Sequence, residues 1–139
     1  MDTAAVIKTS TIGISNADNA KALRLALLEL HRALIEYERR LYEKDNGRQS
    51  AADFLQVLTR DATYEWLAPL SSLILQFDAK PRAGEIAPDA VAIAARARAL
   101  LRREPDASEP FSLRYTPILD VSPDVALAHM HVIAALRHI

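Results

Sequence analysis

Hydrophobic residues recur along residues 19–44 in alternating steps of four and three. This spacing places them on one face of a helix. The resulting seam consists of Leu23, Leu27, Leu30, Leu34, Tyr37 and Leu41. A second stripe runs beside the seam and mixes apolar with polar side chains: Leu28, His31, Ile35, Glu38 and Tyr42. The pattern predicts one long helix whose two adjacent stripes require other elements to pack on it.

The residues before this helix lack such a pattern. Hydroxyl-bearing residues, Gly13 and Asn16 interrupt the stretch, and these residue types have low helix propensity. The sequence therefore predicts a flexible N-terminal tail over residues 1–18 and a single helical-bundle domain over residues 19–139.

Capping and breaking residues divide the rest of the chain into further helices. Ser50-Ala-Ala-Asp53 has the form of a capping box and starts a helix at about 51–60. A helical segment follows that breaks or kinks at Pro69 and ends near Asp78. Pro88 suits the first turn of a helix over about 88–103, and Ser122-Pro123 starts a last helix to about His138.

Residues 104–122 fit two patterns. Phe111, Leu113 and Tyr115 alternate as in a strand, whereas Phe111, Tyr115, Ile118 and Leu119 repeat as in a helix. The chain shows no second convincing strand that could pair with the backbone of a first one. We therefore favour a helix over about 109–120, capped by Ser108 and kinked by Pro117, with the extended form as the alternative. The predicted fold is all-α, a bundle of about five to six helices with a long first helix.

Composition narrows the class of protein. The chain has 139 residues, 50% of them hydrophobic, with a formal net charge of −1 and no cysteine. The length fits one domain, and the absence of cysteine excludes disulfides and thiolate zinc sites. The near-zero charge provides no general attraction for nucleic acid or anionic membranes. With no apparent signal peptide or membrane-spanning segment, we expect a cytoplasmic protein.

Three stretches resemble a family of small uncharacterised bacterial proteins. They are Leu27-Leu28-Glu29-Leu30-His31-Arg32-Ala33-Leu34, then Tyr64-Glu65-Trp66-Leu67-Ala68-Pro69-Leu70-Ser71-Ser72-Leu73-Ile74, and Ser122-Pro123-Asp124-Val125 leading to Ala128-His129. The resemblance extends loosely from about residue 20 to the end of the chain. It implies a compact, all-helical bacterial domain. The family has no assigned activity, so no catalytic role follows.

His31, Glu38 and His129 are the candidate metal ligands. His31 and Glu38 lie two turns apart on the second stripe, with Cα atoms about 10.5 Å apart at the helical rise. Other helices would have to complete such a site, and the Glu-x-x-His motif of di-iron bundles is absent. We expect these residues to make hydrogen bonds between helices, with no metal and no cofactor.

Two other features suggest partners. Arg96, Arg98, Arg102 and Arg103 form a local basic patch in the fourth predicted helix. A solvated helix face is the favoured interpretation, and contact with nucleic acid is the alternative. Trp66, the only tryptophan, is expected in the core, or as an interface anchor if it is partly exposed.

The sequence contains no catalytic constellation, so we expect a non-enzymatic interaction or regulatory module. The second stripe favours self-association as a homodimer, with Leu28, Ile35, Tyr42 and Trp66 as the interaction residues. A metal- or ligand-binding helical bundle is the first alternative. A nucleic-acid-associated regulator is the second.

Overall fold

The protein is an all-α bundle, as the hydrophobic pattern predicts. The computed structural model describes residues 2–80, 82–84, 89–102 and 109–139, with side chains from residue 17 onward. Within these ranges the chain forms six α-helices and one 3-10 helix, and no strand. The α-helices are α1 (Asp2–Asn46), α2 (Ala51–Arg60), α3 (Ala68–Gln76), α4 (Ala90–Leu101), α5 (Pro110–Val121) and α6 (Pro123–Leu136); the 3-10 helix is Ala62–Leu67.

Helix α1 ends where the sequence predicts. Gly47 has a positive φ of 77°, and its N–H donates to the carbonyl of Glu43 at 3.0 Å. The start differs, because the helical backbone begins at Asp2 and not at Asn19. Residues of low helix propensity cost tenths of a kcal/mol each, and Gly13 costs about 1 kcal/mol, which a helix that is already formed tolerates. Flexibility of residues 1–18 concerns motion and stays a prediction.

The segment from Ser50 to Gln76 follows its capping residues. Ser50 Oγ accepts from the N–H of Asp53 at 3.1 Å, which confirms the predicted cap of α2. Asp61 Oδ1 accepts from the N–H of Thr63 at 2.9 Å and starts the 3-10 helix. The predicted break lies just before Pro69, between the 3-10 helix and α3. Pro69 itself occupies the first turn of α3, where no backbone N–H is needed for a helical hydrogen bond.

Of three residues predicted to start the later helices, Pro88 and Ser108 lie outside the described residues, and Ser122 is confirmed. Asp89 caps α4, where its Oδ1 accepts from the N–H of Ala92 at 2.8 Å; Pro88 lies outside the described residues. Ser108 also lies outside them, and Glu109 precedes α5 without a side-chain cap. Ser122 caps α6 as predicted, with its Oγ accepting from the N–H of Val125 at 3.3 Å.

The ambiguous stretch is helical, with Pro117 inside α5. Phe111, Tyr115 and Ile118 are buried together, at the helical spacing, whereas Leu113 is 59% exposed. The strand alternative is therefore wrong. Burial of this helical face decides the ambiguity, because a strand would have turned Leu113 inward beside Phe111.

The core runs along α1. Helix α6 makes the most extensive contact with α1, and α3 also lies against α1. Helix α4 packs on α3, and α5 packs on α6. Buried most completely in the seam are Leu23, Leu27, Leu30 and Leu34, each at 0% exposure. The apolar pattern of α2 predicts that Leu55 points inward beside Phe54. Leu55 is instead 60% exposed.

Helices α5 and α6 meet at a bend of 113° next to Ser122. In the described part of the chain no single helix is long and apolar enough to cross a membrane; α5 and α6 pass that test only as a bent pair.

Candidate functional site

His31 on α1 is tied to helix α3. Its Nε2 lies 2.8 Å from Ser71 Oγ, and Ser71 Oγ in turn lies 3.4 Å from the carbonyl oxygen of Leu67. Burial lowers the pKa of His31 below its ordinary value, because the charged imidazolium loses its hydration. The neutral ring therefore serves as a hydrogen-bonding link between two helices.

Glu38 lies on the same stripe but is bound elsewhere. It is 3% exposed, and its Oε1 accepts from Arg114 Nε at 2.9 Å and Nη2 at 2.6 Å. Arg114 belongs to α5, so this pair links the first helix to the fifth. The buried carboxylate is therefore paired with a cation within the chain.

His129 on α6 is bound to Tyr115 on α5. Its Nδ1 lies 2.6 Å from the tyrosine hydroxyl, and the two ring centroids are 5.7 Å apart. Burial raises the pKa of Tyr115 far above its ordinary value, so the phenol stays neutral. The adjacent His131 points to another surface, where its Nδ1 lies 3.0 Å from both carboxylate oxygens of Glu29.

The three candidate metal ligands are thus placed in three separate interactions. His31 contacts Ser71, Glu38 contacts Arg114, and His129 contacts Tyr115. No group of three His, Asp or Glu side chains in the described ranges is arranged to hold an ion. The structure therefore provides no geometric argument for a metal centre built from these residues.

A groove opens between α1, α2 and α3 beside the second stripe. We call it the α1–α2–α3 groove, of about 460 Å³, lined by His31, Ile35, Leu55, Leu58, Thr59, Tyr64, Glu65, Leu67, Ala68, Ser71, Ser72 and Leu75. Leu55 and Leu75 are 60% and 67% exposed at its edges, and Ile35 is half-buried. The groove is an apolar surface that the described part of the chain leaves uncovered.

The other predicted interaction residues differ in their exposure. Leu28 and Tyr42 are half-buried against the core, and Tyr42 packs on Phe54 with ring centroids 5.6 Å apart. Trp66 is 8% exposed and packs on Phe111 at 5.5 Å. Trp66 is therefore a core residue in the monomer, and Ile35 is the apolar stripe residue that lines the groove, together with His31.

The apolar residues of α2 predict that Leu55 points inward, and this prediction is wrong. Leu75 lies outside the predicted inner face of α3, but the sequence did not show that these two leucines border one groove. Their exposure follows from the position of α2 and α3 on α1, which no local pattern records.

The basic patch of α4 is used partly for packing. Arg98 Nη2 donates to the carbonyl of Leu136 at 2.7 Å, and Arg96 Nη1 donates to Gln76 Oε1. Arg103 lies outside the described residues. These contacts join α4 to α6 and α3. Two of the four arginines therefore have partners within the chain and need no nucleic acid as a partner.

Comparison of the chain with protein-family models, with curated proteins and with solved structures found no match.

Proposed function

We propose that the protein is a non-enzymatic interaction module that associates with a second copy of itself through the α1–α2–α3 groove. The observation that carries the proposal is the exposure of Leu55 and Leu75 on either side of half-buried Ile35. Contiguous exposed apolar surface is costly in water and usually marks an interface. A cytoplasmic, bacterial setting belongs to the same proposal.

A second copy is the simplest partner for this surface. In a two-fold dimer the same patch meets itself, so Leu75 of one copy can pack in the groove of the other. Leu55 and Leu75 are uncharged, and Glu65 is the one acidic residue among the described residues that line the groove, so the pairing surface is mainly uncharged. Burying a leucine side chain contributes roughly 1.5–3 kcal/mol, and each copy buries at least two.

The test is sedimentation equilibrium at micromolar concentration. We expect the native chain to be a dimer and Leu75→Glu to shift it to monomer, because a carboxylate would be buried in the interface. Val91→Glu is the matched control, since Val91 is 64% exposed on α4, outside the groove. Both positions are exposed, so both variants should keep the helical circular dichroism signal.

A native chain that is strictly monomeric at high concentration would contradict the proposal. So would equal dissociation by Leu75→Glu and Val91→Glu, because the interface would then lie elsewhere. Ile35→Glu should also weaken the dimer; since Ile35 is half-buried, its effect counts only if helicity is retained.

A further inference from the structure

A second apolar cavity lies on the other side of the 3-10 helix, where α3, α4 and α5 meet it. Its volume is about 830 Å³, within the size range of cavities that bind small molecules. Trp66, Pro69, Leu100 and Phe111 form its apolar walls. Trp66 and Phe111 are in contact, with ring centroids 5.5 Å apart, and they are 8% and 2% exposed, so the aromatic surface open to the cavity comes mainly from Trp66.

Trp66 also carries an unused hydrogen-bond donor. Its Nε1 is buried and has no partner in the part of the chain that the structure describes. Most buried indole N–H groups have an acceptor, because leaving the donor unpaired costs the free energy of its lost hydration. This cavity is therefore bordered by a side chain that has no acceptor among the described residues.

The charges at the cavity are few and of both signs. Glu65 and Glu109 are acidic and exposed, and the exposed Arg96 guanidinium is held by Gln76. Water screens these groups, and neither sign surrounds the cavity. The interior is apolar and aromatic, so a charged ligand would lose hydration without gaining a buried counter-charge.

We propose that this cavity binds an uncharged small molecule with an apolar body and one hydrogen-bond acceptor such as a carbonyl. The body packs against Trp66 and Phe111, and the acceptor takes the indole hydrogen bond of Trp66. Because Nε1 itself is covered, the indole shifts slightly as the ligand enters. The proposal is independent of self-association, since Ile35, Leu55 and Leu75 do not line this cavity.

The single tryptophan makes a direct test possible. In ¹⁵N-labelled protein the indole N–H gives one cross-peak, which we follow while adding cyclohexyl methyl ketone. We expect a saturable downfield shift, because the N–H gains an acceptor. Ethylcyclohexane has the same body without the acceptor and should bind about fivefold more weakly, the ratio that one hydrogen bond supplies. Cyclohexanecarboxylate and cyclohexylmethylammonium should also bind more weakly than the ketone.

A variant locates the site. Ala99 lines the cavity and is exposed, so Ala99→Phe fills the space and should abolish the shift. Ala95→Phe, one turn away on the exposed surface of α4 and outside the lining, should leave it unchanged. Circular dichroism checks that both variants are folded.

A shift that does not saturate would overturn the inference. So would an affinity for ethylcyclohexane, cyclohexanecarboxylate or cyclohexylmethylammonium equal to that for the ketone. Equal effects of Ala99→Phe and Ala95→Phe would also overturn it. Sedimentation of the same samples separates this outcome from the test of dimerisation, because a filled cavity leaves the α1–α2–α3 groove intact.

Discussion

Glu38 and Arg114 form an ion pair that joins α1 to α5 across 76 positions of sequence, with Arg114 Nε and Nη2 both donating to Glu38 Oε1. The carboxylate is almost wholly buried, while the arginine side chain is 44% exposed. Since α5 packs mainly on α6 and the 3-10 helix, this pair is a direct polar link from α1 to α5.

Removing the arginine should destabilise the fold. Arg114→Met leaves the buried Glu38 carboxylate unpaired, a change that costs about 3–5 kcal/mol in fully buried pairs. Because Arg114 is partly exposed, we expect the free energy of unfolding to fall by about 2–3 kcal/mol. Urea denaturation followed by circular dichroism measures this change.

Arg40→Met is the matched control. Arg40 Nε lies 3.5 Å from Glu36 Oε1 on the surface of α1, and the Arg40 side chain is 66% exposed. Exposed pairs of this kind contribute about 0.5 kcal/mol or less. Equal losses in the two variants would show that the Glu38 carboxylate finds compensation without Arg114. The double variant Glu38→Leu with Arg114→Met should recover part of the stability.

The buried His31 should make stability depend on pH. Its folded-state pKa is lowered, so the unfolded chain takes up a proton first as the pH falls below 6.5. The stabilisation is therefore complete above pH 6.5 and is lost progressively as the pH falls toward the lowered folded pKa. Denaturation series at several pH values, compared with His31→Gln, isolate this contribution.

His31→Gln should reduce the loss of stability between the unfolded-state and folded-state pKa values of His31. Its side-chain amide can still reach Ser71. If both proteins lose the same stability over that interval, His31 is protonated without cost in the folded state. Ser71→Ala should lower the free energy of unfolding by about 1 kcal/mol at neutral pH, because the hydrogen bond to His31 is lost.

Tyr115 should limit stability at high pH. Burial raises its folded pKa, so the unfolded chain loses the phenolic proton first as the pH rises above 10, and stability falls. Tyr115→Phe removes this loss but costs about 1 kcal/mol at neutral pH, because the hydrogen bond to His129 is absent.

Alkaline unfolding followed by near-ultraviolet circular dichroism checks the Tyr115 prediction. Burial also raises the pKa of Tyr64. Because Tyr64 is present in both proteins, its contribution to the pH dependence of stability cancels in the comparison. Parallel alkaline unfolding curves for the native protein and Tyr115→Phe would contradict the prediction.

A metal titration tests the expectation that the histidines serve in packing. Each of His31, Glu38 and His129 has a partner within the chain, and a ligand stabilises a fold only by binding the native state. We expect equimolar Zn²⁺ to leave the melting temperature unchanged. Retention of one ion per chain through purification, with a higher melting temperature, would favour the metal-binding alternative.

Part of the fold could be predicted because it depends on local patterns. The seam of α1 repeats at helical spacing, and its Leu23–Leu34 portion is the buried centre of the bundle. Ser50 and Ser122 act as caps because a side-chain oxygen reaches the free N–H groups of the next turn, which requires no distant partner. Such features depend on a few neighbouring residues, so the sequence contains them directly.

The candidate site could be predicted only in part. The second stripe was identified as a surface that needs cover, and Ile35 does line an open groove. The stripe is not used uniformly, however. His31 faces Ser71 on α3, while Glu38 faces Arg114 on α5, because different helices pass over successive turns of α1.

The sequence by itself determined the all-α class, most helix ends and the buried seam of α1, since helical periodicity and capping act over single turns. The tertiary structure alone decided that Glu38 pairs with Arg114, and that Trp66 lies beside a cavity with its indole N–H unpartnered among the residues that the structure describes. These features depend on which helices meet, and contacts between distant residues leave no periodic mark on the sequence around either partner.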